Sequence, residues 1–467
     1  MVIVMTKLFV LGIDSADPSQ VFGPWLKELP NMREIISSGS HGKIASTVPP
    51  ITCPAWMASL TGLNPGHFGL YDLRYIKKHY FEYSLVNSRL IPFKKVWNYL
   101  GEHDRWSITV MIPTTYPPQR IKGVQVAGFL TPDTNAQFTW PPKIKEEILN
   151  VVGGADKYII DVYGYRKMDP KKLYSRLIEK VDHDFKIIRH LVQNHKWDFF
   201  MAVIMSIDRA QHTLWKFFDK EHPRYIEDPE LKDGLLNIYK RIDQNLGELM
   251  DLLPEDTNYI VYSDHGAKRM IARINANEIL IEEGFLKLNK YPKNPMTIGD
   301  AFREGYIDMR NTVAFAIGAY VAQVFINTID KPMGKVSEEE YLAIRQQIAD
   351  ALREVRGQNG EKLDNRVFFR EDAYRGEKLN VMPDITVYFD NLHYGSNEMI
   401  GFKGFYSLET PKGADDSNHG EFGMLMMSGP NLPKKNINGA KLEDMAPTIL
   451  DLFDIKVDTK FDGRSLL

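Results

Sequence analysis

Phe199-Phe-Met-Ala-Val-Ile-Met-Ser-Ile-Asp208-Arg-Ala-Gln-His212 is the stretch on which the reading of this chain turns. Its opening run is wholly apolar and short, the pattern of a strand buried on both faces of a parallel sheet. The polar pair that follows is spaced by four. On a helix opening at Asp208, that spacing puts a carboxylate and an imidazole on one face. Such a pair alone is common, and its weight comes from what stands elsewhere in the chain.

The same arrangement recurs. Leu8–Ile13 is an apolar run ended by Asp14, and Tyr259–Tyr262 is followed by Ser263-Asp264-His265-Gly266. Asn418-His419-Gly420 precedes the apolar Phe422–Met427, and Thr52-Cys53-Pro54-Ala55-Trp56 follows Pro49-Pro50. A parallel sheet presents its functional side chains at the carboxyl ends of its strands, so these residues are expected to converge on one edge. Asp208, His212 and His419 make one set of three ligands, of the kind that leaves an open position on a catalytic zinc ion. Asp14, Asp264 and His265 make a second. Two ions about 4 Å apart clamp the attacking and leaving oxygens of an in-line displacement at phosphorus.

Thr52 is the candidate nucleophile, because coordination to a metal lowers a hydroxyl pKa. Trp56–Leu60 suggests a helix starting just after it, whose N-terminal amides would face the attacked phosphate. The competing reading makes Thr52 a plain helix N-cap. Cys53, the only cysteine, has no evident base beside it and reads as a packing residue.

Strands and helices alternate around these motifs. Trp106–Ile112, Val124–Phe129 and Tyr259–Ser263 read as further strands. Gly23–Ser38, Lys171–Asn194 and Leu235–Leu253 carry apolar residues at helical spacing. Ser337-Glu-Glu-Glu340 opens another helix with a capping box. The expected fold is therefore α/β, a three-layer α/β/α arrangement with a mostly parallel central sheet. Residues 1–467 are read as one catalytic domain. Between about 268 and 400 the alternation loosens, and that stretch is read as an inserted lid.

The chain has 467 residues, a net charge of −3, 43% hydrophobic and 25% charged residues, as an ordinary globular protein has. This balance argues against a nucleic-acid partner held by its backbone. A basic cluster, Arg74 to His79, reads as a solvated loop. One cysteine allows no internal disulfide, and no apolar run approaches a membrane span, so a cytoplasmic location is expected.

These motifs together resemble the alkaline phosphatase superfamily, and within it the type I phosphodiesterase/nucleotide pyrophosphatase branch. The resemblance rests on Gly12-Ile13-Asp14, Thr52-x-Pro54 with Leu60-Thr61-Gly62, Asp208-x-x-x-His212, Asp264-His265-Gly266 and His419-Gly420. Gly429-Pro430, Asp444-Met-Ala-Pro447-Thr448 and Asp462-Gly463-Arg464 extend it to the C-terminus. It implies that Asp208, His212 and His419 hold one ion, while Asp14, Asp264 and His265 hold the other, which activates Thr52. The sulfatases of the superfamily place a Cys at the nucleophile position and an Arg four residues on. Here those positions hold Thr52 and Trp56. The Asn that often meets the phosphoryl oxygen is replaced by Leu73, leaving Arg74 and Lys268 as candidate phosphate-binding cations. The expected activity is a two-metal phosphodiesterase or nucleotide pyrophosphatase acting through phospho-Thr52, with zinc as the metal and manganese as the alternative. A phosphomonoesterase or phosphomutase on the same site is the rival, and a silent metal-stabilised binding protein the more distant one.

Overall fold

Lys7–Ile13 (β1) alternates its side chains between two hydrophobic clusters, Leu8 and Val10 in one, Phe9, Leu11 and Ile13 in the other. A strand apolar in every position from 8 to 13 is one covered on both sides. Eight more strands complete its sheet: Ser40–Ala45 (β2), Ser107–Ile112 (β3), Gly123–Ala127 (β4), Thr139–Trp140 (β5), Phe199–Ile204 (β6), Thr257–Tyr262 (β7), Phe422–Ser428 (β8) and Asn436–Lys441 (β9). Their order is β9-β2-β8-β7-β1-β6-β3-β4-β5. The central run β7-β1-β6-β3-β4 is parallel throughout. The computed structural model describes residues 6–76, 81–410 and 413–467. Lys77, Lys78 and His79 of the basic cluster lie outside the described residues.

Helices cover both faces. Pro30–Ser38 (α1), Ile144–Val152 (α3), Pro170–Asn194 (α4), Ser206–Phe218 (α5) and Gly234–Met250 (α6) bury residues in one cluster. Thr52–Thr61 (α2) and Met445–Leu452 (α8) bury theirs in the other. The three-layer α/β/α architecture follows directly. The helix expected over Gly23–Ser38 is interrupted. A short 3-10 turn at Leu26–Glu28 precedes α1, which restarts at Pro30, because proline has no N–H to donate to a preceding turn and suits a first helical position.

Registers align the strand ends that matter. Ile13 lies opposite Ile204, and Gly12 opposite Tyr262. Asp14, the start of α5 and Asp264 therefore leave the sheet at the same edge. A two-stranded antiparallel ribbon completes the convergence: Gly266–Arg269 pairs with Ser417–Gly420, setting Ala267 opposite His419.

Within the stretch read as a lid, Ala314–Ile317, Ala322–Ile326, Ile385–Tyr388 and Arg366–Phe369 form a separate four-stranded antiparallel sheet. Glu338–Arg353 (α7) opens with the Ser337/Glu340 capping box. It packs Ile348 and Leu352 into a third hydrophobic cluster with Val324 and Val387. The turn between the first two of these strands carries Tyr320.

Candidate metal centre

Six of the seven singled-out residues meet in two buried groups. In each, Asp14/Asp264/His265 and Asp208/His212/His419, the three potential ligand atoms lie within 4.8 Å of one another. The groups adjoin: the His265 and His419 rings stack with centroids 3.9 Å apart. His265 Nε2 lies 3.8 Å from Asp14 Oδ1 and 3.4 Å from Asp264 Oδ2. Asp208 Oδ1 lies 3.4 Å from His212 Nε2 and 3.6 Å from His419 Nε2. Tetrahedral ligands at zinc-ligand bond lengths stand about 3.3–3.6 Å apart. The spacings fit.

The hydrogen bonds around these side chains show a division of labour. Each carboxylate has one oxygen held and the other unpartnered. Trp56 Nε1 donates to Asp14 Oδ2 at 2.7 Å, the Ser15 amide to Asp264 Oδ1 at 3.1 Å, and the Arg209 guanidinium to Asp208 Oδ2. Among the described residues Asp14 Oδ1, Asp208 Oδ1 and Asp264 Oδ2 have no hydrogen-bond partner, nor do His265 Nε2 and His419 Nε2. Five unpartnered buried polar atoms gathered in one place call for an explanation, and cations are what such atoms lack. The imidazoles are oriented through their other nitrogen. His419 Nδ1 is 2.6 Å from Pro50 O, His265 Nδ1 is 2.9 Å from Gly266 O, and His212 Nδ1 is 3.2 Å from Asp415 Oδ1. For His265 and His419 the acceptor at Nδ1 fixes the tautomer that leaves Nε2 free to ligate, whereas His212 Nδ1 is at ion-pair distance from Asp415 without a hydrogen bond.

The electrostatics agree. Burial, reinforced by Asp208, pushes Asp14 up to about 8, and burial with Asp14 raises Asp264 well above the carboxylate range. Burial lowers His265 to about 4 and His419 well below its ordinary value. Crowded carboxylates beside the neutral His265 and His419 form a donor set that divalent cations complete, whereas burial of His212 is outweighed by Tyr320 and Asp208, which raise it to about 10, so an ion there would displace a proton.

Thr52 is the first residue of α2, and the N-cap position before it is Ile51, with no side-chain capping bond. The N-cap role considered for Thr52 is therefore not the one it plays. Contacts on either side tie it to both groups: Pro50 to His419, and Trp56, one turn on, to Asp14. Burial, then the charges of Asp14 and Asp72, raises the Cys53 thiol well above its ordinary value, consistent with an inert packing residue. Gly12 makes the Trp56 contact possible, since a Cβ there would collide with the indole ring and with Val203.

The two cations singled out as phosphate contacts have other partners. Arg74 pairs with Asp72 at 3.1 Å and Glu398 at 2.8 Å. Lys268 donates to Asn391 O at 2.7 Å. It sits opposite Asn418 in the two-stranded ribbon, so strand alternation turns it to the face away from His419. Neither is brought to the two groups. Sequence reasoning missed Tyr320. Its ring stacks on His419 at 3.9 Å, and its hydroxyl lies 3.4 Å from His212 Nε2 and accepts from Arg166 Nη2 at 2.8 Å. It missed Trp56 and Asp415 as well, although a carboxylate four residues before His419 was visible.

Residues 8–411 match the family model of type I phosphodiesterase / nucleotide pyrophosphatase. No curated protein matches. Among solved structures, human ectonucleotide pyrophosphatase / phosphodiesterase 5 is similar with a TM-score of 0.54 at 12% identity, over 98% of this chain and 97% of that one. An inactive variant of the murine protein in complex with AMP matches equally, at TM-score 0.54 and 12% identity over 98% and 97%. Phosphonoacetate hydrolase from Sinorhizobium meliloti, in complex with phosphonoformate, reaches a TM-score of 0.57 at 14% identity over 96% and 95%.

Proposed function

The chain belongs to the type I phosphodiesterase / nucleotide pyrophosphatase family and is a phosphoester hydrolase; from that premise we propose that it cleaves phosphodiesters or nucleotide pyrophosphates through a covalent phospho-Thr52, with two divalent ions at the paired groups. The observation that carries this reading is the set of unpartnered buried ligand atoms in the two adjoining groups. Bound there, two ions, zinc in our reading and manganese otherwise, would neutralise the carboxylates, favour the Thr52 alkoxide and offset phosphoryl charge.

The chain's own residues do the rest. Trp56, the Ser15 amide and Arg209 hold the three carboxylates in place, while Pro50, Gly266 and Asp415 orient the imidazoles. Thr52 Oγ attacks phosphorus, the leaving oxygen departs on the opposite side, and water then releases the phosphoryl group from Thr52. The free amides of the first turn of α2 face the transferred group. We assign the missing phosphoryl donor to Tyr320 rather than to Arg74 or Lys268. Arg166 donates to the Tyr320 oxygen, and an ion taking His212 Nε2 would free the phenolic proton, which otherwise has that nitrogen as its partner, for a phosphoryl oxygen. The antiparallel insertion that carries Tyr320 is, on this reading, the lid that contacts the rest of the substrate. A nucleotide is the first substrate class to test, because AMP occupies a neighbour of the same fold.

Among the described residues no helix is long and apolar enough to cross a membrane. We place the protein in the cytoplasm on its single buried free cysteine, a placement that cell fractionation checks.

Hydrolysis of bis-p-nitrophenyl phosphate, p-nitrophenyl phosphate and a nucleotide panel, with and without chelator, tests the activity. Diester or pyrophosphate preference that chelation abolishes is the expected result. Monoester preference would assign the site to the monoesterase or mutase reading. Mass spectrometry of acid-quenched enzyme should find the adduct on Thr52, and an adduct on Cys53 would overturn the nucleophile.

A further inference from the structure

A second kind of ligand cluster lies at the opposite edge of the sheet. The catalytic side chains follow the carboxyl ends of the strands, but His190 and His195 stand just before Phe199, where β6 begins. The six residues of β6 separate the two edges by about 20 Å. Residues five apart on a helix diverge by about 140° around its axis, so an uninterrupted α4 would hold these imidazoles apart. Instead α4 ends at Asn194. His195 is its C-cap in an extended conformation (φ −125°, ψ 148°), which swings its ring back beside that of His190.

Both rings close on one atom. His190 Nε2 lies 2.7 Å and His195 Nε2 2.6 Å from the same oxygen, Oε1 of Glu147, in the first turn of α3. The three offer ligand atoms within 4.8 Å of one another and are partly exposed, so an ion has an entry path.

We propose that Glu147, His190 and His195 form a separate divalent-cation site, selective for zinc or a similar borderline ion, that clips α3 to the end of α4. Two imidazoles and a carboxylate are a zinc donor set that leaves a fourth position for water. The ion replaces the protons now held between each Nε2 and Glu147, and those protons leave to solvent.

Equilibrium dialysis of the full chain against micromolar zinc, followed by elemental analysis, tests this. Wild type should hold one ion more than the His190→Gln/His195→Gln double variant, and the two should hydrolyse diesters at the same rate. Added zinc should also raise Tm more in wild type than in the double variant. Glu147→Gln, which keeps both rings, guards against misfolding and should show the same loss of one ion. The readout is a difference, so it stands whatever the catalytic centre holds; repeating it in an Asp208→Ala background separates the two. Equal zinc counts in wild type and both variants would overturn the proposal and leave the cluster as a hydrogen-bonded tie between two helices.

Discussion

Trp56 donates its indole N–H to Asp14 Oδ2 at 2.7 Å, and the ring that makes this bond lies against Gly12, two residues before the carboxylate it holds. One residue of α2 thus fixes the carboxylate at the end of β1, leaving Asp14 Oδ1 unpartnered among the described residues, where it would serve as a ligand. Trp56→Phe should keep the packing and lose the bond. Outer partners of this kind are typically worth about 10–100-fold in metal affinity or activity. Chelator-competition titration should show that loss for one ion, with diester turnover falling in parallel. Unchanged affinity would reduce Trp56 to a packing residue. Gly12→Ala should act in the same direction and lower Tm as well.

Asp415 is the matching outer partner of the other group. It contacts His212 Nδ1 at 3.2 Å and also pairs with Arg166 and Arg273. Asp415→Asn should weaken the second ion about 10–100-fold. Because it leaves two buried guanidinium groups short of a counter-charge, it should also cost about 3–5 kcal/mol of stability. Urea unfolding of the metal-free variant reads the second effect apart from the first.

Tyr320→Phe removes the hydroxyl and keeps the ring stacked on His419. As a donor acting on charge that develops in the transition state, the hydroxyl should lower kcat and kcat/KM together when lost, by about 10²–10³ at full strength. Metal content should not change. Arg74→Ala and Lys268→Ala should stay within a few-fold of wild type. A large loss in either of those, with Tyr320→Phe near wild type, would return the phosphate contact to the cations.

The metal-free protein should lose stability as pH rises from about 6.5 to 8. Asp14, raised by burial and Asp208 to about 8, holds a proton across this window that the unfolded chain has already released. Burial works against His212, but Tyr320 and Asp208 raise it to about 10, so it too binds a proton lost on unfolding. The His212 contribution is near full at the low end and that of Asp14 is already partial there, and both fade as pH rises. Burial depresses His265 to about 4, so its effect runs the other way and has nearly ended by the low end of the window, where the unfolded imidazole gives up its proton. Thermal melts in chelator should fall across the window, and saturating metal should remove the slope. A rising melt curve without metal would contradict this account of the charges.

The fold was legible because Leu8–Ile13 and Phe199–Ile204 are apolar throughout and each leads to a carboxylate, Asp14 or Asp208. Asp208 and His212 were legible from their spacing only in company with the other ligands, since such a pair alone is common. The break at Leu29-Pro30 was also written in the sequence, but the apolar spacing across Gly23–Ser38 masked it. What stayed hidden depends on distant pairing. Tyr320 reaches His419 only through a turn of the inserted sheet, and nothing in its local sequence marks it. Lys268 looked close to the site because it follows His265 by three residues. Strand alternation, set by the pairing with Ser417–Gly420, turns it away.

The central claim, that Thr52 attacks phosphorus between two ions, is tested most directly by one variant measured two ways. Thr52→Ala should bind the same number of divalent ions per chain as wild type, about two at the paired groups, and should lose essentially all turnover of bis-p-nitrophenyl phosphate. A variant that keeps its metal and retains more than about a tenth of the wild-type rate, a barrier change below about 1.4 kcal/mol, would show that the hydroxyl is not the nucleophile.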